Sequence, residues 1–471
     1  MTISIPEVKY IIKILSRSEQ HSSIRNEFYS FFSSNKKLKK NRKLYNTVYH
    51  LTIEISRKKN WIDEIIRFQN LKIDISSEVN SRLISFYRLM AFLFFEEEYL
   101  SNPPDAAYFK RKIPDIFSHT NKKNHRIIAS QFDKLMSFST NNWYDQNPSK
   151  IKRLSMKFFH PEWFVEYLSN FWPIDEVEEF LRRNNDPKES DLRVISDNKL
   201  NFNQTVENLI EKLKKNQINV DQDSQFRDIL HVNSINKIPI ISSKPFLNND
   251  IVIQSKISSI ISHLLHPMDH ELILDMTSAP GMKSSHIANL MGENSKIISV
   301  DISKKRIFRL LNNLRKFTNK MFSVVHAEAG YSIPLPFKSN SMDKILIDAP
   351  CSSTGIFWKY PDHKWHGKEK IQIYAKIQQD LLIEGLRVLK LGGIGVYSVC
   401  SIHYLEGEAI IDTVLDRIEL LDPEWGNEGS TFPETIEKKQ FSEKIIRYCR
   451  RTYSHIDNTD CFFIAKFKKK S

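Results

Sequence analysis

The chain has 471 residues, 41% of them hydrophobic, which is enough for roughly two to four domains with packed cores. Lys and Arg outnumber Asp and Glu by 69 to 56, a formal net charge of +13 that favours a polyanionic partner and argues against an acidic, solvating chain. Four cysteines and no signal-peptide pattern at Met1–Glu7 argue against a disulfide-stapled secreted fold, and no run of eighteen or more apolar residues offers a transmembrane helix.

Residues 1–150 read as helical. Val8, Ile11, Ile12, Ile14 and Leu15 make one apolar stripe, and Leu83, Ile84, Tyr87, Met90, Leu93 and Phe94 make another at helical spacing. No glycine interrupts this stretch. Stripes of this kind are core far more often than ligand sites. Between two helices lies a basic run, Lys36, Lys37, Lys39, Lys40, Arg42 and Lys43. Such a run is usually a solvated face; beside a nucleic-acid enzyme it neutralises phosphates.

Residues 151–245 read as a connector. Helices are expected at Glu162–Ser169, Glu176–Arg183 and Asn203–Asn216, and a strand at Asp191–Ile195. From 246 to 471 strands alternate with helices, the pattern of a doubly wound sheet. Glu443–Cys449 and Cys461–Phe467 read as a closing antiparallel pair.

The chemistry lies in this last segment. Leu272–Asp275 is an apolar strand ending in an acid, followed by Met276, Thr277, Ser278, Ala279, Pro280, Gly281, Met282 and Lys283, then by a helix. A tight strand-to-helix turn of small residues lets backbone N–H groups approach a ligand. Lys296–Asp301 is a second strand ending in an acid, placed to accept hydrogen bonds from ribose hydroxyls. With a single glycine the turn is not the dinucleotide fingerprint, so a nucleoside cofactor other than nicotinamide is favoured. Taken alone, an ordinary crossover without a ligand is about as good a reading.

Cys351 and Cys400 each end an apolar run, and in a parallel sheet the carboxyl ends of strands face the ligand crevice. Both thiols can therefore face one pocket, with Asp348 beside them. A single strand-end cysteine is more often a space-filling core residue.

Three segments together resemble the RNA cytosine-5 methyltransferases, the Sun/Fmu-type enzymes and their archaeal and eukaryotic relatives. They are Asp275–Ser284, Asp348–Gly355 and Tyr397–Ser401. The resemblance continues in Pro361–Trp365, Glu406–Glu408, His455–Phe463, His160–Trp163 and Leu192–Val194, in the family's order. Departures are Thr277 and Met282, where the family usually has Cys and Gly, Ser255 in place of an acid, Glu328 for Asp, and small changes at Val399 and Cys461.

The resemblance implies an α/β chain: a Rossmann-like doubly wound methyltransferase domain over 246–471, a small α+β connector over 151–245, and a helical, NusB-like RNA-binding domain over 1–150. It implies S-adenosylmethionine as cofactor, held by Thr277–Lys283, Asp301, Glu328 and Asp348. It implies Cys400 as nucleophile toward carbon 6 of cytosine, Cys351 as the thiol that aids product release, and Asp348 as partner of the pyrimidine edge. Carbon 5 of cytosine is a poor nucleophile, and thiolate addition at carbon 6 turns the ring into an enamine that accepts a methyl group. The expected partner is ribosomal or transfer RNA, and the expected form a cytoplasmic monomer without metal or membrane contact. Two alternatives stay open: a non-catalytic RNA-binding assembly factor on the same fold, and a methyltransferase with a substrate other than RNA.

Overall fold

The computed structural model describes residues 3–470 apart from 20–22, 72–77, 97–102, 197–200, 234–237, 330–333, 424, 426–434 and 437–438. The chain forms two compact units, Met1–Leu181 with Tyr360–Trp365, and Arg182–Lys359 with His366–Ser471.

The first unit is helical throughout its described regular structure. Its helices start on polar caps that satisfy orphan backbone N–H groups. Ser4 and Glu7 form a reciprocal capping box on Ile5–Ser18, and Asn41 and Asn121 cap Arg42–Arg57 and Lys122–Met136. The stripe Val8, Ile11, Ile12, Ile14 and Leu15 is buried in one core with Tyr87, Met90 and Leu93, while Leu83, Ile84 and Phe94 pack around it half-buried. Lys36–Lys39 makes a single helical turn and Arg42 opens the next helix. All six cations of this run are exposed, and none forms an ion pair among the described residues. Tyr360–Trp365 contributes a 3₁₀ turn to this unit: Trp365 Nε1–H donates to Ser56 O at 2.6 Å and Lys364 Nζ to Phe159 O at 2.8 Å.

The second unit opens with a small antiparallel sheet, β1 (Ser190–Val194), β2 (Val220–Gln222), β3 (Ile229–Val232) and β4 (Ile251–Ile253), in the order β2-β3-β1-β4. Helix α1 (Phe202–Lys215) covers it, with Val206, Leu209 and Leu213 packed against Leu192 and Val194. The strand and helix expected here are both present, each displaced by one residue.

Next comes α2 (Lys256–Leu264), and then the doubly wound sheet. Its strands are β5 (Leu272–Asp275), β6 (Lys296–Asp301), β7 (Phe322–His326), β8 (Met342–Asp348), β9 (Leu389–Val399), β10 (Ile418–Leu421) and β11 (Phe463–Lys469). Their order is β10-β11-β9-β8-β5-β6-β7. The five strands β5 to β9 run parallel, and β11 is antiparallel to β9 and β10. Helices α3 (Met282–Leu290), α4 (Lys304–Phe317) and α5 (Glu369–Val388) make crossovers. Ile273, Ile297, Leu346 and Val396, one from each of four adjacent parallel strands, are fully buried in the core. The chain winds outward in opposite directions from β5 and β8. Doubly wound sheets bind ligands at the carboxyl ends of such a pair.

One expectation is corrected. Glu443–Tyr448 is a helix, with Ser442 Oγ accepting from Lys444 N and Ile445 buried. The terminal strand β11 pairs instead with β9, β10 and the short strand Arg450–Arg451. Ile445 and Ile446 suit a strand locally, but the serine cap and a single buried apolar position suffice for two helical turns.

Candidate active site

Two neighbouring parallel strands deliver the two thiols. In the β8–β9 ladder Asp348 lies opposite Ser398, so the loops beginning at Ala349 and Cys400 leave the sheet side by side. Cys351 Sγ and Cys400 Sγ stand 3.1 Å apart, and both cysteines are free. The hydrogen bond to Cys400 and burial raise the Cys351 thiol well above its usual range. Cys351 therefore holds its proton more tightly, and either sulfur can donate in this contact. Cys400 is the more exposed of the pair.

A buried carboxylate holds the two loops together. Glu406 Oε1 accepts from Ser352 N at 2.8 Å and from Gln378 Nε2 at 3.1 Å, while Oε2 accepts from Ser401 Oγ at 2.6 Å and from Ser352 Oγ. Ser352 follows one cysteine and Ser401 the other. Thr354 Oγ1 adds a link by accepting from Ile402 N at 3.1 Å, and Gly355 N donates to Cys400 O at 3.1 Å. Burial raises the Glu406 carboxyl above its usual value despite these donors. Beneath the clamp Arg451 pairs with Glu408, each side chain 1% exposed, and Arg451 Nη1 also donates to Ser401 O at 3.1 Å.

The turn between β5 and α3 sits at the carboxyl edge of the sheet. Gly281 takes φ 101°, a left-handed conformation that favours glycine, and a Cβ there would crowd Leu310 Cδ1 at 2.8 Å. Asp275, Thr277, Ser278, Ala279, Pro280, Met282, Lys283 and Asp348 surround a cavity of about 50 Å³. Asp275 Oδ2 accepts from Ser284 Oγ at 2.6 Å, and burial pushes its carboxyl up to about 7. Lys283 Nζ lies 2.7 Å from Asp348 Oδ2, and Asp348 Oδ1 accepts from Ser398 Oγ at 2.9 Å. Burial alone would lower the Lys283 ammonium. Asp348 more than offsets this, with Cys400 adding to it, so the ammonium is held above its usual value. One cation thus faces both this turn and Cys400.

Asp301, at the end of β6, is 3% exposed. Its carboxylate accepts from Ala279 N at 3.2 Å and Ser303 N at 2.8 Å, and pairs with Arg306 at 3.1 Å. It braces the turn from below and does not line the cavity itself. Ala327 N donates to Asp301 O at 3.3 Å, which puts the exposed Glu328 beside it on the same edge. The structure thus brings together Cys351, Cys400, Asp348 and the turn Thr277–Lys283, with Asp301 and Glu328 alongside. The basic run belongs to the other unit.

Two features escape a reading of the sequence. The clamp role of Glu406 is one. The other is Asp228, whose Oδ1 lies 2.8 Å from His263 Nε2 and whose Oδ2 lies 2.6 Å from His286 Nε2. A carboxylate thus bridges two imidazoles, one on α2 and one on α3, the helix that follows the cofactor turn. Burial lowers His286 to about 3, leaving it neutral, whereas the two histidines overcome burial and hold Asp228 below the usual carboxylate range. No local spacing announces this bridge, since its members sit on three separate elements.

Residues 262–468 match the 16S rRNA methyltransferase RsmB/F family, and residues 160–238 match the ferredoxin-like domain of RsmF/B-like methyltransferases. The chain belongs to the RNA cytosine-5 methyltransferase family. Among its relatives in this family, the probable ribosomal RNA small subunit methyltransferase B of Bacillus subtilis (strain 168) is 26% identical over 394 residues, covering 81% of this chain and 82% of that protein. The 28S rRNA (cytosine-C(5))-methyltransferase of Mus musculus is 32% identical over 331 residues, covering 68% of this chain, and the aligned region is 40% of the mouse protein's length. A solved structure of a methyltransferase homologue from Pyrococcus horikoshii superposes with a TM-score of 0.58 at 27% identity, over 68% of this chain and 98% of that one.

Proposed function

We propose that the chain methylates carbon 5 of a cytosine in ribosomal or transfer RNA, with S-adenosylmethionine as methyl donor, through a covalent adduct with the enzyme. The observation that carries this reading is the pair of free thiols 3.1 Å apart at the ends of adjacent parallel strands, beside the Lys283–Asp348 ion pair. The residues fit the cofactor: acidic side chains at Asp275 and Asp348 line the cavity and suit a sulfonium cation, and Asp301 at the end of β6 braces the turn that would hold it. When bound, the cofactor supplies an electrophilic methyl group.

The chain's own residues prepare the base. Lys283, itself held charged by Asp348, places a cation beside Cys400. Cys400 Sγ forms a bond to carbon 6, and the electron pair displaced from the 5,6 double bond makes carbon 5 nucleophilic. Lys283 and Asp348 meet the polar edge of the pyrimidine and stabilise charge as it builds. After methylation solvent water takes the carbon 5 proton, the C–H electron pair re-forms the 5,6 double bond, and the carbon–sulfur bond breaks with its electron pair left on Cys400 Sγ. Cys351 S–H donates to the departing sulfur and stabilises it as thiolate. The exposed cations Lys36, Lys37, Lys39, Lys40, Arg42 and Lys43 contact RNA phosphates.

The test is bisulfite sequencing of ribosomal and transfer RNA from cells with and without the gene. Loss of one protected cytidine, restored by the wild-type chain and not by Cys400→Ala, is the expected result. An unchanged pattern of protected cytidines refutes the reading.

A further inference from the structure

A cavity of about 350 Å³ lies within the second unit, among β1, β3, β4, the start of α3 and the loop before β11. It differs from the cofactor cavity but shares one wall with it: Met282 lines both. Trp358, Asn458 and Thr459 line it as well. The loop carrying the last two docks on the first cysteine loop, because Cys461 N donates to Gly355 O at 3.3 Å. A Cβ on Gly355 would lie 2.3 Å from Cys461 O, so only glycine permits this approach. Since Gly355 N in turn donates to Cys400 O, one hydrogen-bonded series links the cavity wall to the nucleophile's backbone. Trp358 is held in place by Nε1–H donating to Asp460 Oδ1 at 2.8 Å.

The lining has the chemistry of a nucleotide site. It offers an indole and a thioether for stacking, cations at Lys188, Lys256 and Lys359, and amide, hydroxyl and carboxylate groups that read both donors and acceptors. Two polar atoms of lining residues, Gln254 Nε2 and Ser190 Oγ, are buried and make no hydrogen bond in the protein. Buried polar atoms normally have partners, and the exceptions call for an explanation. Proteins that read unpaired RNA stack splayed bases on aromatic side chains and hydrogen-bond their edges.

We propose that this cavity holds the base of a nucleotide next to the target cytidine, flipped out of the helix and stacked on Trp358, so that the enzyme selects its cytidine by its neighbour. The inference rests on the RNA methyltransferase reading. Met282, where the family usually has glycine, forms the partition between the neighbour's base and the cofactor.

The test uses the full chain and a pool of short RNAs carrying the target cytidine with randomised flanking positions, scored by bisulfite sequencing. Wild type should favour one base at one flanking position. Trp358→Leu and the near-isosteric Thr459→Val should each flatten that preference, by about fivefold or more for the tryptophan. Their affinity for S-adenosylhomocysteine by calorimetry should stay at the wild-type value. Methylation by wild type without any flanking preference overturns the inference while leaving the proposed function standing. Variants with weakened cofactor affinity and intact preference overturn it too, by assigning the cavity to the cofactor. No methylation of any RNA by wild type refutes the proposed function, and this inference with it.

Discussion

The 3.1 Å contact between the thiols makes the two single cysteine variants behave differently. In Cys351→Ala the nucleophile remains, so attack and methyl transfer proceed, but the departing Cys400 thiolate loses its one S–H donor. Hydrogen bonds to charged groups contribute about 1.5–3 kcal/mol, and a thiol is a weak donor, so the lower end applies. A loss of about 1.5 kcal/mol slows release roughly tenfold. Turnover then becomes limited by elimination, and the covalent enzyme–RNA species accumulates. In Cys400→Ala no bond to carbon 6 forms, and both methylation and adduct vanish. The assay is a denaturing gel of enzyme with labelled RNA and S-adenosylmethionine, sampled through the first turnovers. A retarded band in Cys351→Ala and none in Cys400→Ala is the expected pattern. The reverse pattern assigns attack to Cys351, and unchanged turnover in both variants would falsify the thiol mechanism altogether.

Further expectations concern the cofactor turn, the buried acid beneath it and the basic run. Asp301→Ala removes the acceptor of Ala279 N and Ser303 N and should weaken S-adenosylmethionine binding by about 1.5–3 kcal/mol; unchanged calorimetric affinity removes Asp301 from the site. Asp275 is held at about 7, above its unfolded value of 3.8, so the folded chain carries an extra proton between those values. Stability therefore falls as pH rises through that window and levels off above it, by at most roughly 4 kcal/mol. Asp275→Asn should remove this slope, which urea midpoints at about pH 5 and pH 8 will read; identical slopes in variant and wild type refute the assignment. Neutralising Lys36, Lys37, Lys39 and Lys40 should lower RNA affinity and reduce the salt slope by up to roughly three, since fewer counterions are released; an unaltered slope makes the run a solvated face.

What the sequence discloses of the site follows from where parallel strands end. Asp275, Asp301, Asp348 and Cys400 each close or follow an apolar run, so their shared edge follows once the sheet is inferred. The first unit was legible for a similar reason, since Val8, Ile11, Ile12 and Leu15 repeat at the helical period and need only a partner face. Glu406 could not be read this way. Its place in the sequence shows an acid after a strand, but its role arises from two loops that only tertiary folding brings to it. Asp228, His263 and His286 likewise meet only in the fold. Glu443–Tyr448 departs from the strand its sequence suggests, because six residues hold too little periodicity to separate helix from strand and two adjacent isoleucines favour the strand. Tyr360–Trp365 leaves the second unit and returns to it within a few residues, an excursion no local pattern records.

The clamp on the cysteine loops grips backbone and serine groups, not sulfur. Ser352 N, Ser352 Oγ, Ser401 Oγ and Gln378 all converge on Glu406 whichever side chains stand at 351 and 400. Chemistry and shape are thus separately encoded at this edge of the sheet. On the proposed function, a single substitution at Cys400 would silence the reaction and leave the two loops clamped, an RNA-binding protein with the fold of an enzyme. Passage from catalyst to pure binder would then lie one mutation away, in a descendant that kept Glu406 and its serines but lost the thiol.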